Sequence, residues 1–166
     1  MKPKHAAAAA AVAALGATAA VAVAATKPTV KAVKNAQVGK TIVIEAKKGM
    51  TLYYLTGDTK GHLCATATCT GFWPPLTVRS LHTKVVKGKG ITGKLAVFKR
   101  ADGEFQVTLR GKPLYRFAGD GAKGQANGEG IQSFGGTWHV VAAKAPSGTS
   151  APAPTPAPQP TMPYPY

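Results

Sequence analysis

From residue 41 onward, apolar and polar positions alternate at a period of two, and the pattern predicts strands. Thr41-Ile42-Val43-Ile44-Glu45 is a β-branched run, Lys47-Lys48-Gly49 reads as a turn, and Thr51-Leu52-Tyr53-Tyr54-Leu55 runs again. Leu95-Ala96-Val97-Phe98 is a third run, followed by Asp102-Gly103, the dipeptide favoured in type I′ hairpin turns. Phe105, Val107 and Leu109 then alternate with Gln106, Thr108 and Arg110, as in a strand with one buried face. Gly111-Lys112-Pro113 turns the chain into Leu114-Tyr115-Arg116-Phe117, and Thr137-Trp138-His139-Val140-Val141 closes the series. No stretch after Ala25 carries a convincing helical period. The pattern predicts a mainly β, small single domain over 41–143, with 61–93 and 118–136 as long ordered loops.

An internal repeat sharpens this picture. Gly49-Met-Thr-Leu-Tyr-Tyr-Leu-Thr-Gly-Asp58 aligns with Gly111-Lys-Pro-Leu-Tyr-Arg-Phe-Ala-Gly-Asp120 at an offset of 62, and in each copy a loop leads on to a Trp, Trp73 or Trp138. The expected architecture is therefore two degenerate antiparallel hairpin repeats, neither with enough core to fold alone.

The ends of the chain differ in composition from the middle. Residues 1–25 open with Lys2, Lys4 and His5, and then run without charge through an Ala-rich apolar stretch to small residues. These are the physical requirements of a secretory signal, with cleavage expected after Ala24 or Ala25. No Arg-Arg pair precedes the run and no cysteine follows it, which favours general export without a lipid anchor. No other apolar stretch approaches spanning length, so no transmembrane segment is expected in the mature chain. Residues 26–40 read as a basic flexible arm, and 144–166 as a Pro-rich disordered tail suited to an extended spacer.

Charge adds a partner class. The chain holds 21 Lys plus Arg against 6 Asp plus Glu, a formal +15, with a pI near 10.1. Without Lys2 and Lys4 the count is 19 against 6, a formal +13. Outside a cell, this balance suits cell-wall polymer or another extracellular polyanion. Nucleic acid is not expected, because no basic stripe interleaved with aromatics is present.

The chemistry-bearing residues are few. His62, Cys64 and Cys69, with His82 as a candidate fourth donor, have the donor types of a zinc or copper site. Against this, export places both thiols in an oxidising compartment and four intervening residues can close a ring, so a Cys64–Cys69 disulfide is the expected state. Neither a Cys-x-x-Cys-His haem site nor a Cys-x-x-Cys redox centre is present, and no cofactor or metal is expected. Asp58 and Asp120 hold matching repeat positions. They suit either the capping of a turn after Gly or the paired carboxylates of a glycosidase. Tyr53, Tyr115, Trp73 and Trp138 read as core aromatics or as a face that stacks sugar rings, with Asp58, Asp120 and Asn127 binding hydroxyls. No Gly-x-Ser-x-Gly elbow or phosphate-binding loop accompanies them.

At these same residues the chain resembles a bacterial family of secreted proteins and lipoproteins carrying a repeat of unknown function, marked by Tyr-x-[Phe/Trp/Tyr]-x-x-Asp. Tyr115-Arg-Phe117-Ala-Gly-Asp120 fits the motif, while Tyr53-Tyr-Leu55-Thr-Gly-Asp58 departs at its third position. Cys69-Thr-Gly-Phe-Trp73-Pro-Pro-Leu76, Arg100-Ala-Asp-Gly103, Asn127-Gly-Glu-Gly130 and Gly135-Gly-Thr-Trp138-His-Val-Val141 extend the resemblance over about residues 39–143. The four-residue Cys64–Cys69 spacing, where three is expected, and the missing lipid-attachment cysteine are further departures. The resemblance implies export and a repeat architecture, and it implies no activity. The expected function is a secreted, non-enzymatic binding or structural module of the cell envelope. The alternative is an extracellular metal- or redox-linked protein using His62, Cys64 and Cys69, with glycan hydrolysis by Asp58 and Asp120 as a third reading.

Overall fold

The computed structural model describes residues 27–145; the export signal expected over 1–25 and the Pro-rich stretch from 146 lie outside them. The architecture is mainly β and antiparallel, as the period-two pattern predicts. Strand β1 (Val30–Asn35) pairs with β2 (Lys40–Glu45). β3 (Tyr53–Leu55) lies beside β9 (Gly136–Val140), which also pairs with β8 (Gln132–Ser133). β6 (Phe105–Leu109) is the centre of a third sheet, flanked by β5 (Leu95–Lys99), β4 (Thr77–Val78) and β7 (Lys112–Pro113).

Four expectations are corrected. The stretch 26–40, read as a flexible arm, contains β1, in register with β2 from Val30↔Glu45 to Asn35↔Lys40. Its lysines hide a strand anchored by three apolar residues: Val30 is fully buried, while Ala32 and Val33 pack against the core from partly buried positions. Lys31 and Lys34 stay exposed. Second, the hairpin at Asp102-Gly103 is not a two-residue type I′ turn. Gly103 N donates to Arg100 O and Arg100 N to Glu104 O, and Gly103 has φ +89° while Asp102 does not enter the left-handed region. This is a three-residue hairpin loop whose last position needs glycine. Third, β6 is buried on both faces; Gln106, read as solvent-facing, is fully buried and bonded to Arg100 and Leu114 O. Fourth, a short helix, α1 (Ala67–Phe72), forms where none was expected. Six residues are too few to imprint a period on the sequence. The Thr66 hydroxyl caps it by accepting from Cys69 N at 3.2 Å.

The strands also leave the hairpins that the repeat suggested. After Leu52, the chain crosses to β9, in the other half of the sequence, pairing Tyr53↔Val140, Tyr54↔His139 and Leu55↔Trp138. Backbone bonds recur at matched positions. Leu52 N donates to Val43 O and Leu114 N to Val107 O. Val43 N donates to Val141 O and Val107 N to Leu76 O, while Val141 N donates to Leu52 O and Leu76 N to Leu114 O. Tyr53 and Tyr115 exchange both of their backbone bonds, Tyr53 N to Tyr115 O at 2.8 Å and Tyr115 N to Tyr53 O at 2.9 Å. The two halves are thus interleaved rather than stacked. One apolar cluster gathers Val30, Val43, Leu52, Val107, Leu114 and Val141, and a second gathers Tyr53, Leu55, Trp73, Tyr115 and Trp138 with both cysteines.

Burying Val30 alone is worth about 1.5–3 kcal/mol, and removing β1 would also strip its ladder from β2. A chain that begins at residue 36 is therefore expected to melt without a cooperative transition, whereas one that begins at Lys27 melts as the full protein does. Thermal unfolding followed by circular dichroism makes the comparison.

Candidate functional site

Most of the residues singled out in the sequence converge on one buried assembly. The Tyr53 hydroxyl donates to Asp120 Oδ2 at 2.7 Å, and the Tyr115 hydroxyl donates to Asp58 Oδ2 at 2.7 Å. Each half of the chain therefore supplies the phenol that satisfies the other half's carboxylate. The second oxygen of each aspartate holds its own loop: Asp58 Oδ1 accepts from Leu63 N at 3.1 Å and Asp120 Oδ1 from Asn127 N at 3.0 Å. Asp after Gly at the end of a strand is thus a turn-holding group here, as the repeat position suggested. Both carboxylates are about 95% buried, at 4% and 5% exposure.

The aromatics pack between these bonds. Trp73 and Trp138 stack at 3.8 Å between ring centroids and 3° between planes. Tyr53 meets Trp73 edge-on at 5.5 Å, and Tyr115 meets Trp138 edge-on at 5.1 Å. Phe117, the aromatic that the first copy lacks at Leu55, stacks on the other face of Trp73 at 4.3 Å. All four Tyr and Trp rings are 0–2% exposed, so the sugar-stacking face that they were candidates for does not exist. Gly128 lies against them, and a Cβ there would stand 2.8 Å from Trp73 and 2.9 Å from Tyr53. Of the seven candidate binding residues, only Asn127 is exposed, and its side chain bonds Gly119 O and Gln37.

Cys64 and Cys69 are joined in a disulfide, both fully buried. Their sulfurs are therefore not thiolate ligands, and the adjoining His62 is exposed, as is His82. Sequence reasoning missed the residue that holds this loop down. Arg100, at 5% exposure, donates from Nη2 to Cys64 O at 2.9 Å, from Nη1 to Gln106 Oε1 at 2.6 Å and from Nε to Asp102 Oδ2 at 2.8 Å. Gln106 passes the network on by donating to Leu114 O at 2.8 Å. In the other half, Asn35 plays the matching part, donating to Gly124 O at 2.6 Å, while Gln37 accepts from Ala126 N. A polar residue at the end of one hairpin thus grips the long loop of the other half. The position of Arg100 just before a hairpin loop was visible in the sequence, but the loop that it holds, at Cys64, lies 36 residues away.

The electrostatics follow from burial. Desolvation pushes the Asp120 carboxyl above the usual aspartate range, with the bonds from Tyr53 and Asn127 only partly offsetting it. Burial, together with the neighbouring carboxylates, holds the Tyr53 and Tyr115 phenols protonated far above the ordinary tyrosine range. At Glu129, burial works against the charge but is outweighed. Oε1 pairs with His139 Nδ1 at 3.0 Å and Oε2 accepts from Val140 N at 2.6 Å, so the carboxyl sits below its usual range. The sixfold acid set is thereby almost wholly engaged. Asp58 and Asp120 bond tyrosines, Asp102 pairs with Arg100, Glu45 pairs with Arg116 at 2.8 Å, and Glu129 pairs with His139. Only Glu104 stands exposed without such a partner. Among the described residues, no lysine takes part in an ion pair.

This geometry defines a small β domain clasped across its two halves, with Asp58 and Asp120 buried at the clasp. A family model described as a secreted repeat of unknown function matches residues 96–142, from β5 through β9. The match agrees with the resemblance read from the motif residues, and it includes Tyr115, Asp120 and Trp138. No curated protein and no solved structure matches the chain. No described helix is long and apolar enough to cross a membrane.

Two outcomes are expected from this assembly. Tyr53→Phe and Tyr115→Phe each strand a buried carboxylate oxygen and should cost about 1.5–3 kcal/mol, read from urea midpoints. A loss within about 0.5 kcal/mol would mean that the hydroxyl does not hold its partner. The second outcome concerns pH. Because the folded Asp120 carboxyl titrates above its unfolded value, its contribution is full below the unfolded value and is lost as pH rises through the folded one. The stability margin of the wild type over Asp120→Asn should therefore be largest in acid and shrink over the window that opens at the ordinary aspartate value of 3.8 and extends upward. Urea midpoints of the two proteins across that window give the sign directly.

Proposed function

We propose that the protein is a non-enzymatic module of the cell envelope that binds wall polymer or another extracellular polyanion. The family match accounts for the secreted character. The observation that carries the binding reading is the segregation of charge. Five of the six carboxylates are spent on tyrosines, arginines and a histidine inside or at the edge of the fold, while the lysines stand in solvent without ion-pair partners. A basic protein tuned only for solubility has no need to withdraw its acids; interspersed signs serve that purpose equally well. Engaged acids leave an excess of unpaired positive charge on the surface, which favours contact with an extended anionic partner over one small ligand.

Binding of this kind must weaken with salt. The exported protein should co-sediment with purified cell walls at about 0.1 M NaCl and be released by about 1 M, as the screening length falls from about 10 Å to about 3 Å. Retention that is indifferent to salt, or no retention at the lower concentration, would overturn the reading.

A further inference from the structure

One groove, about 520 Å³ in volume, is rimmed by Lys40, Lys89 and Lys144 and floored by Ala32, Ala142 and Ala143. Its three cations come from three separate parts of the chain: the start of β2, the loop after β4 and the exit strand after β9. They are therefore brought together by the fold and not by a local run. Backbone bonds fix the spacing. Ala143 N donates to Thr41 O at 2.9 Å, Thr92 N to Ala143 O at 2.9 Å, and the Thr92 hydroxyl accepts from Ala145 N at 2.8 Å. Beneath the floor, Arg110 donates to Ala142 O at 2.6 Å and to Thr92 O at 2.8 Å. Its charge is thus held on carbonyls, with no carboxylate to neutralise it.

No acidic side chain lines the groove. Glu129, whose carboxyl senses the charge of Lys40, is already engaged by His139 and Val140 N. Another cleft, beside the disulfide, has Lys60, His62 and Lys99 on its walls but includes the neutralised Arg100–Asp102 pair. The chemistry of the lysine groove selects its occupant. Ammonium groups are compact, strongly hydrated charges with rotatable donors, suited to anions that recur along a chain and need no planar, two-pronged partner. A floor of alanines offers no aromatic platform for bases or sugar rings. Residues 145–166, which follow Lys144, carry no Asp or Glu side chain to complement the groove.

We infer that this groove seats a linear polyanion with single negative charges recurring along a flexible backbone, as in a polyol phosphate or a polyuronate. The inference rests on the polyanion reading above and gives it a location. The test compares the full protein with two triple variants of equal charge loss: Lys40→Gln/Lys89→Gln/Lys144→Gln in the groove, and Lys47→Gln/Lys48→Gln/Lys99→Gln outside it. All six positions are exposed, so both variants should fold, and unchanged melting confirms it. Probes are a glycerol-phosphate oligomer and an oligogalacturonate, titrated by calorimetry at about 50 mM NaCl, with wall co-sedimentation in parallel. The groove variant should lose about tenfold in affinity and the control about twofold, and the oligomer that binds names the source of the charge. Equal losses in the two variants would overturn the groove and leave the polyanion reading standing. Binding to walls but to neither oligomer would also overturn the groove. Failure of the wild type to bind walls at all would remove both.

Discussion

The structure depends on two hydrogen bonds that cross between the halves of the chain. Tyr53 reaches Asp120 and Tyr115 reaches Asp58, each at 2.7 Å and each away from water. A buried carboxylate with an oxygen left bare is among the costlier defects a core can carry. Neither aspartate can be satisfied within its own half, so each half is completed only when the other is in place. The exchanged backbone bonds between Tyr53 and Tyr115 align the two phenols for this, and the stacked pair of Trp73 and Trp138 fills the space between. Interdependence of this sort favours one cooperative unit. It also accounts for a domain of modest size and few aromatics holding long loops in order.

The same arrangement disposes of the long loops. Residues 58–66 and 119–128 contain little regular structure, yet each is pinned at three kinds of point. An aspartate oxygen holds its start, a hairpin-end residue from the other half grips its middle, and either a disulfide or a glycine packed on aromatics closes it. Arg100 on Cys64 O and Asn35 on Gly124 O are the two grips. They differ in strength: Arg100 carries a charge shared with Asp102 and Gln106, whereas Asn35 makes one neutral bond to the loop. The half with the weaker grip is the one closed by Gly128 against Tyr53 and Trp73 and by Gln37 on Ala126. The half with Arg100 as its grip has the disulfide.

Much of this was legible in the chain. The period-two runs placed β2, β3, β5, β6 and β9, and Tyr, Asp and Trp at a near-constant offset marked the residues that now meet at the centre. Export chemistry pointed to Cys64–Cys69. What was not legible has identifiable causes. β1 carries its apolar anchors among lysines, so local composition outweighed a pairing that only β2 and the core reveal. Gln106 read as solvent-facing, because a polar side chain looks alike in a strand's sequence whether it meets water or a buried partner such as Arg100 or Leu114 O. The candidate sugar-binding rings were the right residues in the wrong environment. A Tyr or Trp can serve as core or as platform, and only the matched carboxylate on the opposite half decides which.

Charge and core turn out to be one problem. Burying two aspartates beneath tyrosines, and tying three more acids to two arginines and a histidine, completes the interior and at the same moment leaves Glu104 as the one exposed acid without an ion-pair or tyrosine partner. The lysines then repel one another across the surface, a cost that a marginal domain would feel. The clasped core bears that cost without any ion pair to a lysine among the described residues. A positive surface is therefore a consequence of how the halves are joined as much as of the lysine count. Substituting lysines should tune the field while leaving the clasp untouched, so surface charge and folding are separable properties of different residues in this chain.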